Sequence, residues 1–297
     1  MARALEAAAG TIYDIGYRNY EGTRLGRGYA FRTLYVHSLR AAFGLGRGGR
    51  ALLIPWALFA VMLFPAVITV AVAGISGGMM NNLIDYHEIF TWDAMMLALF
   101  CASQAPELVS TDQYNRVLPL YFSRALRQRD YALAKLAAMW TAVFVLMLAP
   151  LLVILIGRLA LPTDFAAAFQ EQSKNFLPIL LTALCAAVVM GSLALALAAY
   201  VPRRGMGSAA VLGTFLLSAA VVLILSETLE ERVRYFVLAN PILAVNGAVL
   251  AFFGERPDRG SALRDADLAP GAFYAAVAAY AVVFVLLLLN RYRRLGA

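Results

Sequence analysis

The sequence predicts an all-α polytopic membrane protein with six transmembrane helices, and three observations carry that expectation. Hydrophobic residues make up 62% of the 297-residue chain and mean hydropathy is +0.73, whereas a soluble domain is typically about 45–50% apolar. The apolar residues gather in runs of bilayer length. The clearest, 136–156, has 21 residues without a charge, which at about 1.5 Å per residue covers a hydrocarbon core of about 30 Å. The polar stretches between the runs alternate sharply in Lys and Arg content. In lipid the backbone must satisfy its own hydrogen bonds, so each run is read as a helix.

Positions 1–50 form a cytoplasmic or interfacial segment. It has no apolar core of the kind a signal peptide needs, so the first apolar run is expected to be kept as a signal anchor. Within 29–43, apolar residues recur at Phe31, Leu34 and Tyr35, Leu39, and Ala42 and Phe43, with Arg32 and Arg40 between them. That spacing predicts a helix with one apolar stripe, suited to the membrane interface or to packing on its own domain. Gly44, Gly46 and Gly49 fit the pattern GxGxxG, but no strand precedes them and a membrane run follows. They are read as a hinge and not as a nucleotide site.

The spans are placed at 51–74 (with Pro55 and Pro65), 92–110, 136–156, 176–200, 208–226 and 272–290. A further apolar stretch, 235–253, is interrupted by Asn240-Pro241 and by Gly247 and predicts a re-entrant or interfacial hairpin. Positions 291–297 form a basic tail, and the chain reads as one membrane domain, 1–297, around a six-helix region, 51–290. With both termini cytoplasmic, the inner segments hold 18 of the 25 Lys and Arg residues, as the positive-inside rule requires. The net charge of +7 is then a topology signal and a contact with anionic headgroups, not a nucleic-acid footprint.

Several chemistries are disfavoured by what the chain lacks. There is no GxxxxGK[ST] and no HExxH, and the two histidines, His37 and His87, fall on opposite sides of the expected membrane. Cys101 and Cys185 lie within spans and read as buried free thiols. Serines in the spans read as packing residues. The second span is the least apolar. Asp93 is expected at a solvated outer helix start, and Gln104 and Glu107 near the inner end are candidates for a gate or cavity lining. Gly191, Ser192, Ala194, Ala196, Ala198 and Ala199 of the fourth span suit close helix approach, either inside the fold or in a dimer.

The informative soluble piece is 111–135. Tyr114, Val117, Leu118 and Tyr121 are spaced i, i+3, i+4 and i+7, which predicts a short helix with a face to bury, and a dense run of arginines follows. The order Leu118-Pro119-Leu120-Tyr121-Phe122-Ser123-Arg124-Ala125-Leu126-Arg127-Gln128-Arg129-Asp130-Tyr131 with Lys135 resembles the segment between spans two and three of the permease subunits of type-2 ABC exporters. Positions 236–253, with Asn240-Pro241, resemble the outer re-entrant helices of that family. Ala125 stands where the family usually has proline, and 110–116 replaces its acidic stretch.

The resemblance implies that 113–121 is a coupling helix seated in a cleft of a separate ATPase subunit. The residues it implicates are Gln113, Tyr114, Arg116, Val117, Leu118, Leu120 and Tyr121, flanked by Arg124, Arg127 and Arg129. It also implies two permease copies (a homodimer or two related chains) enclosing the path in the cell membrane. Two ATPase subunits would hold the ATP and Mg, so this chain would be no enzyme and carry no cofactor itself. Two other classes compete. A self-sufficient secondary transporter or channel usually carries ionisable or repeated features near the midplane, and no internal repeat is evident. An intramembrane enzyme would need a catalytic set that the sequence does not display.

Overall fold

In the computed structural model the described residues are 22, 25–46, 48–77, 83–123, 126–228 and 231–295. Among them every regular element is helical. The α-helices are α1 (Arg27–Ala42), α2 (Arg50–Ile75), α3 (Tyr86–Tyr114), α4 (Leu118–Phe122), α5 (Gln128–Ala160), α6 (Phe165–Gln172), α7 (Phe176–Tyr200), α8 (Arg204–Thr228), α9 (Pro241–Phe253), α10 (Ala262–Ala266) and α11 (Pro270–Leu295). Short 3-10 turns at Ser173–Asn175 and Glu231–Ala239 join α6 to α7 and precede α9. Five stretches among the described residues are long and apolar enough to cross a membrane: α2, α5, α6 with α7, α8 and α11. The predicted runs at 51–74, 136–156, 176–200, 208–226 and 272–290 each fall inside one of these helices.

The remaining predicted span, 92–110, lies inside α3. Its 29 residues extend about 43 Å at the α-helical rise, but Glu88, Asp93, Gln104, Glu107 and Asp112 lower its hydropathy. Packing explains how it carries them. The α3 helix lies against α2, α5, α7 and α8, and its Ile89, Phe90, Leu97, Ala98, Cys101 and Ala105 are fully buried.

The centre of the bundle is α7, which contacts α3, α5, α8, α9 and α11. Its small residues make this possible: Ser192, Ala194, Ala196, Ala198 and Ala199 are all buried inside the chain, and a Cβ on Gly191 would stand 3.1 Å from the Trp140 ring. The small-residue face is therefore occupied by internal packing. By contrast, α2, α8 and α11 turn large apolar side chains outward, among them Leu53 and Phe64, Leu217 and Ile224, Val282 and Leu286. Such continuous apolar faces match a lipid solvent, not water.

The apolar stripe of α1 packs on its own domain. Leu34 and Ala42 are buried in the core with Phe31, Tyr35, Leu39 and Phe43 against it, and Tyr35 shares a 3.0 Å hydrogen bond with Thr141 of α5. The expected hinge after α1 is instead a closed turn. Gly44 has φ +73°, and a Cβ there would lie 2.3 Å from the Ala51 carbonyl oxygen, so only glycine fits. The interrupted stretch before α11 becomes the 3-10 turn followed by α9, whose 13 residues extend about 20 Å, too short to span. Asn240 caps α9 by accepting hydrogen bonds from the Ile242 and Leu243 amides at 2.8 and 3.1 Å, with Pro241 at the first turn. Gly247 does not break the helix as the sequence suggested. It sits in mid-helix against Phe273 of α11, whose ring a Cβ would meet at 2.3 Å.

Candidate functional site

The predicted single helix over 113–121 does not form. The α3 helix continues to Tyr114, Arg116 turns left-handed with φ +54°, and a separate five-residue α4 starts at Leu118. Pro119 supplies a reason. A proline inside a continuous helix removes the hydrogen bond to the preceding turn and clashes with its carbonyl, whereas one in the first turn is tolerated.

The break changes which side chains face outward. Tyr114 and Leu120 are 68% and 67% exposed, and Arg116, Arg127 and Arg129 are exposed as well. Leu118, expected on the outward apolar face, is buried in the chain's own core. Val117 and Tyr121 are half-buried. Arg124 lies outside the described residues. The described members of the sequence-predicted set are thus brought to one corner of the bundle, and the exposed apolar residues there are Tyr114 and Leu120.

That corner is fastened to three long helices. At the end of α3, Ser110 Oγ donates to the Ala198 carbonyl of α7 at 2.9 Å. Gln113 Nε2 donates to the Ala199 carbonyl at 2.9 Å and to Tyr292 of α11 at 3.4 Å, while Arg291 Nε donates to the same Ala199 carbonyl at 3.0 Å. Under α4, the buried ring of Tyr131 from α5 lies 5.4 Å from Tyr121, 6.0 Å from Phe122 and 5.0 Å from Tyr292. Both Tyr131 and Tyr292 are fully buried. Burial, and then the charge of Asp112, push the Tyr121 hydroxyl above its ordinary pKa.

Electrostatic contacts complete the clamp. Asp112 Oδ2 accepts a 2.6 Å hydrogen bond from Tyr131 Oη and a 2.9 Å contact from Lys135 Nζ, and the Lys135 side chain is only 6% exposed. Arg27 of α1 reaches Asp130 with Nε 2.6 Å from Oδ2, and that hydrogen bond raises the Arg27 pKa. The Arg127 amide donates to Asp130 at 3.0 Å, capping α5. The sequence reading missed Asp112, Tyr131, Lys135 and Tyr292 as a unit. The available signal was partial: Lys135 borders the charge-free run that opens at Leu136, whereas Asp112 lies 23 positions before that lysine.

The two other polar candidates of α3 take different places. Glu107 forms a 2.8 Å ion pair with Arg204 of α8 and lines a cavity beside α1, whereas Gln104 is buried and donates to its neighbour Ser103 at 3.1 Å. Asp93 is not at a solvated helix start. It is 2% exposed, and its Oδ2 has no hydrogen-bond partner, as is true of the buried Thr182 Oγ1 on the neighbouring α7. At the opposite end of the bundle, Arg158 pairs with Asp85 at 2.9 Å and Tyr86 donates to Gln172 at 2.8 Å. Among the described residues no group of three or more His, Cys, Asp or Glu side chains could hold a metal ion, and both cysteines are free.

The arrangement is suited to mechanics: an exposed tip joined through buried contacts to α5, α7 and α11. No family model matches the chain, and no curated protein matches it.

Proposed function

We propose that the chain is the membrane-spanning permease subunit of an ATP-driven ABC transporter, working as an exporter, with α3 as a sixth span and both termini in the cytoplasm of a cell-membrane protein. The observation that carries the reading is the α3–α4 corner. Tyr114 and Leu120 project from it, while Gln113, Asp112, Tyr121 and Phe122 bind it to three long helices. A partner pushing on that tip moves α5, α7 and α11 together, because packed cores shift as units instead of deforming continuously. The chain has no P-loop, so ATP and Mg belong to the partner, here two ATPase subunits acting on two permease copies. With the small residues of α7 occupied internally, the second permease copy would meet the outward faces of α2, α8 or α11.

The test is affinity purification from native membranes in mild detergent. A stoichiometric P-loop ATPase is expected with the wild-type chain, together with ATP hydrolysis. Tyr114→Ala with Leu120→Ala is expected to release it while the chain stays inserted. A chain that emerges alone and hydrolyses nothing contradicts the proposal. That outcome favours the second reading, a self-sufficient secondary transporter, for which the buried and unpartnered carboxylate oxygen of Asp93 is the specific support.

A further inference from the structure

We propose that the cavity between α1 and the α4-side ends of α3 and α5 seats the headgroup of an anionic phospholipid. The inference rests on the bilayer reading alone and is independent of whether an ATPase partner exists.

The cavity has a volume of about 700 Å³, within the range of about 300–1,000 Å³ typical of small-molecule sites. One wall is the outward stripe of α1. Because its inner stripe is spent on the core, the positions that follow one another on the other face are Tyr29, Arg32, Val36, His37 and Arg40. The opposite wall holds Glu107, Asp112 and Lys135. Those acids are already engaged, Glu107 by Arg204 at 2.8 Å and Asp112 by Lys135 at 2.9 Å. Arg32 and Arg40 differ, for no carboxylate among the described residues pairs with either. The charge left over in the cavity is positive, and guanidinium groups recognise phosphate oxygens.

Depth and polarity distinguish a lipid from a free anion. Lys135 directly precedes the charge-free run that opens at Leu136, so the cavity stands at the edge of the hydrocarbon zone. A few residues beyond the turn that closes it, Leu53 and Ile54 of α2 are 66% and 51% exposed and face outward. Val36, Leu45 and Leu108 add apolar lining, which a bare phosphate would not use and a glycerol backbone with the first methylenes of an acyl chain would.

The experiment is lipid retention by the full-length chain, read by native mass spectrometry. The chain is first equilibrated with mixed micelles of phosphatidylglycerol and phosphatidylcholine. Wild type is expected to retain phosphatidylglycerol selectively. Arg32→Gln with Arg40→Gln is expected to weaken retention about thirtyfold, from about 1 kcal/mol per basic residue. Arg32→Lys with Arg40→Lys, which keeps the charge and loses the planar fork, is expected to retain lipid at a level between wild type and the glutamine pair. Lys174→Gln with Arg259→Gln, at the other end of the bundle, is the control and is expected to change nothing. Inorganic phosphate at 10 mM is expected not to displace the lipid. No preference for phosphatidylglycerol in the wild type overturns the proposal without any variant. So does equal loss in the control pair, which means diffuse attraction, or displacement by phosphate, which means a free-anion site.

Discussion

At the scale of single residues, Asp112 is the hub of the α3–α4 corner, because one oxygen accepts from both Tyr131 and Lys135. Removing one partner of a buried pair leaves an uncompensated charge, at a cost of about 3–5 kcal/mol. Lys135→Met is therefore expected to lower the thermal midpoint of the purified protein markedly. Adding Asp112→Asn, which keeps an acceptor for the Tyr131 hydroxyl, is expected to recover most of the loss. Equal destabilisation in the single and double variants would show that the pair is not the clamp. This hub was only half legible in the sequence. The arginines of 116–129 stood out by density, whereas Asp112 and Lys135 lie 23 positions apart and meet only because α3 and α5 pack side by side. Asp93 differs from its sequence expectation for a similar reason. Its position in the run suggested a helix start, but α3 begins seven residues earlier, at Tyr86.

At the scale of elements, five apolar runs translated directly into helices, since hydrophobic length is a one-dimensional property. What needed three dimensions was whether an interruption breaks a helix or allows a close approach. Pro119 and Arg116 do break the predicted 113–121 helix. Gly247 does not break α9 but lets α11 in, with Phe273 buried against it. Gly247→Ala is expected to cost about 1–3 kcal/mol by overpacking, seen as a lower thermal midpoint, and Phe273→Leu in the same chain is expected to relieve part of it. An unchanged midpoint in Gly247→Ala would mean that α9 and α11 are not held at this distance. The apolar stripe of α1 was correctly drawn from its spacing, but the sequence left open what it faces, and α5 takes it.

At the scale of the whole molecule, the contacts sort into two ends. At the Tyr131 end gather α4, the ends of α3, α7 and α11, and the starts of α1, α5 and α8. Around Tyr86 gather Arg158, Gln172 and Phe253. In the topology proposed above, the positive-inside rule puts the Tyr131 end in the cytoplasm. An epitope inserted between Ile75 and Tyr86 is accordingly expected to be reached by antibody on intact cells, and access only after permeabilisation would invert the assignment. Membrane class and helix content were legible from composition and run length. Partners are less so, because a docking surface is defined by which side chains the fold leaves outside. Leu118 and Leu120 look alike in the sequence, yet one is buried and the other is 67% exposed.

The central claim is that the tip formed by Tyr114 and Leu120 is where an ATPase sits. The most direct measurement places a photo-crosslinking phenylalanine analogue at position 114 or 120, irradiates native membranes, and identifies the adduct by mass spectrometry. The account predicts a covalent adduct with a P-loop ATPase from both positions and none from Leu161, at the opposite end of α5. Adducts with lipid alone at 114 and 120, or the same ATPase adduct from Leu161, would contradict it.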